Sequence, residues 1–406
     1  MSASPRQPVP PTAGADGSLT EDEVLGRIEN LLPVFAADAA ERDRLGGRPT
    51  AQILAIKKAG LTNLLIPREL GGHGLPWSTA LRVVRALSRV DGSLGHLFGY
   101  HCLCLMGMWG RTDPAHARRV LARSARAEWW WGNSNDPLSP TVKGHRVRDG
   151  YRVNGVRPFS SGSHVADYLQ ISWQDEGTGS RVMAAVPVSI QGVIVNDDWD
   201  GLGQRQTGSG TVTFEDAFVA DEFILDIDYK AGAPFKTIGA SLAQSVLVNL
   251  FVGSAEGALQ VARDYTLAKS RPWRTSGVER HVDDPWIKRR YGEFEIKTSA
   301  ARALADEALA SIDRVVAAGE ALTADERGAN AVLVAKANVF AGDVALEVTA
   351  AIFEVMGARS ATRANGFDRF WRNVRTHTLH NPAEYKTRTV GQWVLTGAYP
   401  EPDIYQ

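Results

Sequence analysis

The feature that most constrains the fold is the order in which hydrophobic periodicity changes along the chain. From Thr20 to about Ser124 apolar residues recur with helical spacing. Between Trp129 and about Leu225 they fall in short β-type runs separated by turn pairs, and after Lys236 the helical period returns almost to the end. Thr20 and Glu23 have capping-box spacing ahead of the first helical run, and Thr323 and Glu326 repeat it near the C-terminus. Residues 80–108 read as one long, mostly apolar and therefore buried helix. Residues 147–156 carry Asp149-Gly150 and Asn154-Gly155, both hairpin signals, and 167–173, 182–186 and 211–218 read as further strands. Gly253 and Gly257 sit in a helical run, where glycine permits close packing of helices, whereas Gly277 and Gly319 interrupt the pattern and Pro382 restarts it. Helices segregated from strands predict an α+β protein and argue against a βαβ nucleotide-binding sheet. The expected organisation is a disordered tail over 1–18, an N-terminal helical domain over 19–125, a central β domain over 126–232 and a C-terminal helical bundle over 233–406.

Several function classes are excluded by what is missing. A net charge of −1 gives no electrostatic reason to expect nucleic acid or an anionic membrane as partner. No uninterrupted apolar stretch approaches the roughly 20 residues of a membrane span, and the N-terminus lacks a basic start followed by an apolar block. The two cysteines, Cys102 and Cys104, lie in an apolar run and read as buried free thiols, which suits a reducing, cytoplasmic setting. No G-x-G-x-x-G follows a strand and no phosphate-binding G-x-x-x-x-G-K-[ST] occurs, so the chain carries no evident site for a nicotinamide cofactor or ATP. Without H-E-x-x-H or a His/Cys cluster, no catalytic metal is expected, and there is no G-x-S-x-G nucleophile elbow.

Four constellations remain. His96 and Tyr100 are four apart on a helix and share a face. Trp129-Trp130-Trp131-Gly132-Asn133 ends in an amide that can face a planar heterocycle, although three tryptophans also suit a buried strand. Phe159-Ser160-Ser161-Gly162 follows Asn154-Gly155 and also suits a β-turn. His377 and His380 are three apart and read as sharing one helical face; a solvated basic face is the alternative.

Taken in order, these segments resemble the acyl-CoA dehydrogenase superfamily. Asn154-Gly155, Phe159-Ser160-Ser161-Gly162 and Ala166-Asp167 resemble its N-G-x-K-x-F-I-T-N-G…A-D run, and Leu202-Gly203-Gln204-Arg205 with Phe214-Glu215-Asp216 resembles its L-G-x-R…F segment. The resemblance implies an N-terminal α-helical domain, a central β-barrel-like domain and a C-terminal four-helix bundle. The dehydrogenases carry a carboxylate base in one of two places. Here those places read Arg372 to His380 and Ala243-Gln244, with no Asp or Glu, so α,β-dehydrogenation has no evident base. Asp91 to His101, Asn196-Asp197-Asp198-Trp199 and Gly366 to His380 instead resemble the flavin-dependent monooxygenase branch typified by dibenzothiophene monooxygenase.

That branch implies a two-component enzyme of sulfur metabolism. It would take FMN as FMNH2 from a separate NAD(P)H:flavin reductase and, through a C4a-hydroperoxyflavin, use O2 to oxygenate a small apolar organosulfur or aromatic substrate. By the same resemblance Asn133, Phe159 and Ser161 contact the flavin ring, Arg271 and Arg359 hold its phosphate, and His96, Tyr100, Ser161, His377 and His380 supply or retain the proton of the oxygenated flavin. Histidine suits that role because small environmental shifts move its protonation across neutral pH. Trp199 and Phe159 would wall the substrate. An FAD-dependent acyl-CoA dehydrogenase or oxidase, an amine N-oxygenase on the same fold and a non-catalytic scaffold are the alternatives. The apolar positions of residues 325–356 exceed what one packed face uses, which with the resemblance predicts a homotetramer whose flavin site is completed by a second chain.

Overall fold

The computed structural model describes residues 17–108, 113–136, 140–225 and 233–403. The N-terminal helices are α1 (Glu21–Leu45), α2 (Thr50–Lys58), α3 (Trp77–Ser88), α4 (Gly92–Met106) and α5 (Pro114–Ala127). The strands follow as β1 (Trp131–Ser134), β2 (Val142–Val147), β3 (Gly150–Arg157), β4 (Tyr168–Asp175), β5 (Arg181–Pro187), β6 (Val193–Val195), β7 (Val212–Ala220) and β8 (Ile224–Leu225). The chain then returns to helix as α6 (Gly239–Lys269), α7 (Pro285–Ala318), α8 (Ala324–Met356), α9 (Asp368–Thr378) and α10 (Ala383–Thr396). This is the α+β order that the periodicity predicts. Most of the expected tail lies outside the described residues, but Ser18 and Leu19 are already buried and the Leu19 N–H donates to His73 Nδ1, so packing starts ahead of the Thr20 cap. Both capping boxes form, at Thr20/Glu23 and at Thr323/Glu326.

Residues 80–108 are two helices rather than one. The Asp91 carboxylate accepts from the Ser93 and Leu94 N–H groups and so N-caps α4, ending the α3 run behind it. Of the two hairpin signals, Asp149-Gly150 makes the β2–β3 turn, with Asp149 at φ 64°. Asn154-Gly155 lies inside β3, where the register against β7 shifts, so it marks a bulge instead of a turn. All strands join one sheet in the order β6-β7-β3-β2-β4-β5-β8, with β1 added parallel to β4.

Three cores result. Helices α1–α4 and α6–α9 share one that includes Leu87, Phe98, Val246, Phe251 and Ile352, the sheet packs its own around Trp173, Val186 and Phe214, and α5 with the end of α4 packs Leu121 and Leu105 against Trp131 and Met183. Helix α6 has the length and hydropathy of a membrane span, and its place at the centre of the shared core accounts for that composition. It also carries the two close-packing glycines. A Cβ at Gly253 would overlap the Arg85 carbonyl of α3, and one at Gly257 would overlap the Arg89 carbonyl just after α3. His101 of α4 ties helix to sheet: its Nε2 donates to the Thr62 carbonyl while Nδ1 accepts from the Trp131 N–H, which fixes the neutral tautomer.

Helix α8 does not supply the apolar excess expected of it. Ala331, Val332, Val334, Ala335, Val344 and Ala345 are buried within the chain, leaving Phe340 and Ala350 exposed. The larger exposed apolar groups are Leu267, Trp273, Trp286 and Ile296 around α6 and α7, and Tyr385, Val394 and Leu395 on α10.

The packing predicts a contrast between glycines. Gly257→Ala should lower unfolding stability by about 1–3 kcal/mol, because the helices must separate. Gly26→Ala, in α1 with open space around it, should raise it by up to ~1 kcal/mol. Thermal unfolding of the two variants checks this, and equal behaviour would contradict the close-packing role of Gly257.

Candidate active site

The sheet and the two helical groups meet around a cavity of about 760 Å³, a size typical of small-molecule sites. One wall comes from α4 and the end of α9. The His96 ring stacks on Tyr100 at 4.1 Å between centroids and on His377 at 4.5 Å. The Tyr100 hydroxyl lies 3.5 Å from His380 Nε2. His377 is in the last turn of α9, but His380 lies beyond the helix, in a turn where its N–H donates to the His377 carbonyl. The two histidines therefore reach one cavity without sharing a helical face.

The facing wall comes from the sheet and its loops. The Asn133 N–H donates to the Ser161 carbonyl, and Asn133, Phe159, Ser161 and Trp199 all line the cavity. Phe159 holds φ 55°, a left-handed conformation unusual for an aromatic residue, and is 62% exposed at the cavity. Its ring meets Trp199 edge to face. Behind Ser161 runs a hydroxyl relay that the sequence analysis missed. Thr207 Oγ1 donates to the Gln204 carbonyl, so it must accept from Ser209, and Ser209 must accept from Ser161 across 2.7 Å. This polarity leaves Ser161 Oγ presenting acceptor lone pairs to the cavity. Thr207 and Ser209 lie between the Leu202–Arg205 and Phe214–Asp216 runs that carry the family resemblance, and nothing in their spacing marks a relay.

The loop bearing these groups is held against α9. The Gln204 N–H donates to Asn373 Oδ1 at 2.6 Å, and the Gly203 N–H to Thr376 Oγ1 at 3.1 Å. A Cβ at Gly203 would overlap the Arg372 carbonyl, so only glycine allows this approach.

Electrostatically the cavity is nearly neutral. Asp136 is its one carboxylate and Lys236 its one lysine or arginine among the described lining residues. Ala243 and Gln244, at one of the two dehydrogenase base positions, line it without a carboxylate, and His377, Leu379 and His380 occupy the other. Burial pushes His96 down to about 3, and it holds His377 well below the usual imidazole range with the neighbouring His96 and His380 adding to the effect. His380 is lowered too, by burial and then by Lys386. The expectation of histidines titrating across neutral pH thus gives way to neutral rings. Both ring nitrogens of His96 and Nε2 of His377 have no hydrogen-bond partner among the described residues.

Arg271 and Arg359 do not line the cavity. Both are exposed, and Arg359 Nη2 reaches the Lys269 carbonyl at the C-terminal end of α6. The cavity's orphaned polar atoms and planar walls fit a flavin ring, but among the described lining residues Lys236 is the sole lysine or arginine for a phosphate.

Residues 29–128 match the acyl-CoA dehydrogenase N-terminal domain family and residues 245–384 the acyl-CoA dehydrogenase C-terminal domain family. A dibenzothiophene monooxygenase of Mycolicibacterium goodii is 41% identical over 395 residues, covering 92% of this chain and 93% of its own length. The chain belongs to the acyl-CoA dehydrogenase family. Within the family it lies in the flavin-dependent monooxygenase branch. A probable FMNH2-dependent monooxygenase of Pseudomonas putida is 39% identical, covering 94% of this chain and 97% of its own length. FMN-bound TdsC of Paenibacillus sp. A11-2 superposes with a TM-score of 0.90 at 36% identity, covering 94% of this chain and all (100%) of that one. The family's helix–sheet–helix architecture is the one described above.

The buried neutral histidines set a pH dependence. Between a folded-state value of about 3 for His96, or about 4 for His101, and an unfolded value near 6.5, the unfolded chain binds more protons. Stability is therefore fully present above about pH 6.5 and lost as pH falls, by up to ~1.4 kcal/mol per pH unit for each such group. Melting temperature should be flat from pH 7 to 8 and fall steadily below pH 6, with a shallower fall in His96→Phe. An identical slope in wild type and variant would contradict the burial argument.

Proposed function

We propose that this chain is the oxygenase component of a two-component FMNH2-dependent monooxygenase acting on a small apolar organosulfur or aromatic substrate. The observation that carries the reading is the cavity itself: the polar groups of Asn133 and Ser161 on one wall, neutral stacked rings on the other, and no carboxylate at either dehydrogenase base position. The family membership and the FMN-bound relative support FMN as the cofactor. The reaction balances as substrate plus O2 plus FMNH2 giving oxygenated substrate, FMN and water.

When bound, reduced FMN supplies two electrons and activates O2. The protein's share is to hold, shield and manage protons. Asn133 and Ser161 would hold the ring, and the relay suits a reduced flavin, because Ser161 Oγ is left to accept from a ring N–H. Phe159, Trp199, Leu242 and Leu379 would exclude water from the cavity once the flavin is bound. His96, Tyr100, His377 and His380 are placed to keep one proton at His377 Nε2 or the Tyr100 hydroxyl and return it. Their neutral state matters, since an imidazolium would release its proton too early.

The cavity's shortage of cations bears on assembly. We propose that Arg271 and Arg359 reach the FMN phosphate of a neighbouring subunit in a homotetramer, whose contacts also cover exposed apolar groups such as Trp273, Trp286 and Ile296. A separate NAD(P)H:flavin reductase supplies FMNH2, because no dinucleotide fingerprint occurs in the sequence.

Ser161→Ala and His380→Ala should each lower product formed per FMNH2 by roughly tenfold or more, and by more than they weaken FMN binding, since the proposed role of both lies in the oxygenation step. Single-turnover assays with photoreduced FMN measure the ratio. Unchanged coupling in both variants would remove these residues from the chemistry.

A further inference from the structure

Gln170 of β4 is a buried polar group in the cavity wall for which the reading above has no use. It is 5% exposed, lies between the buried Leu169 and Ile171 and lines the cavity. In the parallel β1–β4 register it is the partner of Asn133, so both side chains leave the sheet on the same face. Its Nε2 has no hydrogen-bond partner among the described residues, although a buried unpaired amide donor is costly.

The direction of this amide is not free. An Arg181 Nη2 donates to the side-chain oxygen of Asn135, and a guanidinium can only donate. Asn135 must therefore turn its Nδ2 toward Gln170, where it donates to Oε1 at 3.3 Å. Gln170 is left with its NH2 as the unpaired end of the amide, at the cavity wall beside Gly107. Reversing it would set two NH2 groups against each other, or set the Asn135 NH2 against the guanidinium. The amide also needs room from α4's end: a Cβ at Gly107 would stand 2.9 Å from Gln170 Nε2, so the glycine keeps this donor's space open.

We infer that Gln170 Nε2 is a specificity-determining donor for an oxygen carried on the substrate's sulfur, its direction set by Arg181 through Asn135. The inference rests on the organosulfur reading and deepens it. A thioether sulfur is a weak acceptor and leaves the donor unpaired, whereas a sulfoxide, sulfone or sulfinate oxygen satisfies it. The site then prefers substrates already oxygenated at sulfur, and a thioether's first oxygenation creates the acceptor that holds the product for a second. A flavin carbonyl is the other acceptor that could reach this wall. The proposed ring contacts are at Asn133 and Ser161, whereas Gln170 Nε2 lies beside Gly107 at the end of α4, which favours the substrate.

The test uses the full-length FMN-loaded enzyme and two matched pairs, dibenzothiophene with its S-oxide and methyl phenyl sulfide with its sulfoxide. Wild type should bind at least one S-oxide about tenfold or more tighter than its sulfide. Gln170→Leu should abolish that preference, and Gln170→Glu, which keeps the shape but presents an acceptor, should abolish or reverse it. FMN affinity should stay within about threefold in both. No S-oxide preference in wild type for either pair overturns the inference whether or not the variants fold. An unchanged preference in either folded variant, or weakened FMN binding with the preference intact, also overturns it, the latter assigning the donor to the flavin. The functional reading fails separately, if wild type with FMNH2 and O2 oxygenates no organosulfur compound at all.

Discussion

The arrangement depends on the contact between the loop at residues 201–209 and helix α9. Gly203 lies so close to the Arg372 carbonyl that any side chain there would part them. Around it, Arg372 pairs with Asp43 of α1 at 2.5 Å and donates to the Leu202 carbonyl. Arg42 joins Asp91, the cap of α4, to Gln206 of the same loop. These side chains are mostly buried, and losing one partner strands a charge, so the hub holds α1, α4, α9 and the loop in a single arrangement. That arrangement puts Trp199, Ser161 and Ser209 across the cavity from His96, His377 and His380.

The hub explains how one site can be assembled from segments nearly 300 residues apart in sequence. It also explains why the site tolerates unpaired polar atoms. His96 and His377 gain their neutral state from burial, and their stacked rings fill the wall that aliphatic groups would otherwise fill. A cavity lined by neutral rings, orphaned nitrogens and apolar side chains stabilises a reactive oxygen species better than water does, because fixed dipoles need no reorganisation. The same surroundings suit a dehydrogenase poorly, since no carboxylate stands at either base position.

Much of this was legible in the sequence. The change of period from helix to strand and back gave the architecture, Thr20/Glu23 and Thr323/Glu326 gave two helix starts, and Gly253/Gly257 marked the close packing of α6. Local rules misjudged places where a side chain competes with periodicity. Asp91 splits an apolar run into two helices by capping the second, and Gly155 bulges a strand where its dipeptide suggested a turn. His96, Tyr100, Asn133, Phe159, Ser161, Trp199, His377 and His380 do converge on one cavity, whereas Arg271 and Arg359 lie off it. The Ser161–Ser209–Thr207 relay and the Arg181–Asn135–Gln170 chain were not legible. Both depend on which atom donates to which across residues distant in sequence. A glutamine between the apolar Leu169 and Ile171 of β4 was the one available signal for the second.

The central claim, that this cavity transfers an oxygen atom from O2 to sulfur at the expense of FMNH2, is tested most directly by isotope. The enzyme, photoreduced FMN and dibenzothiophene or methyl phenyl sulfide are mixed with ¹⁸O2 in a single turnover, and the product is weighed by mass spectrometry. The account predicts one labelled oxygen per product sulfur–oxygen bond, with product approaching one equivalent of FMNH2. Product carrying oxygen from water, or peroxide as the sole fate of the label, would contradict it.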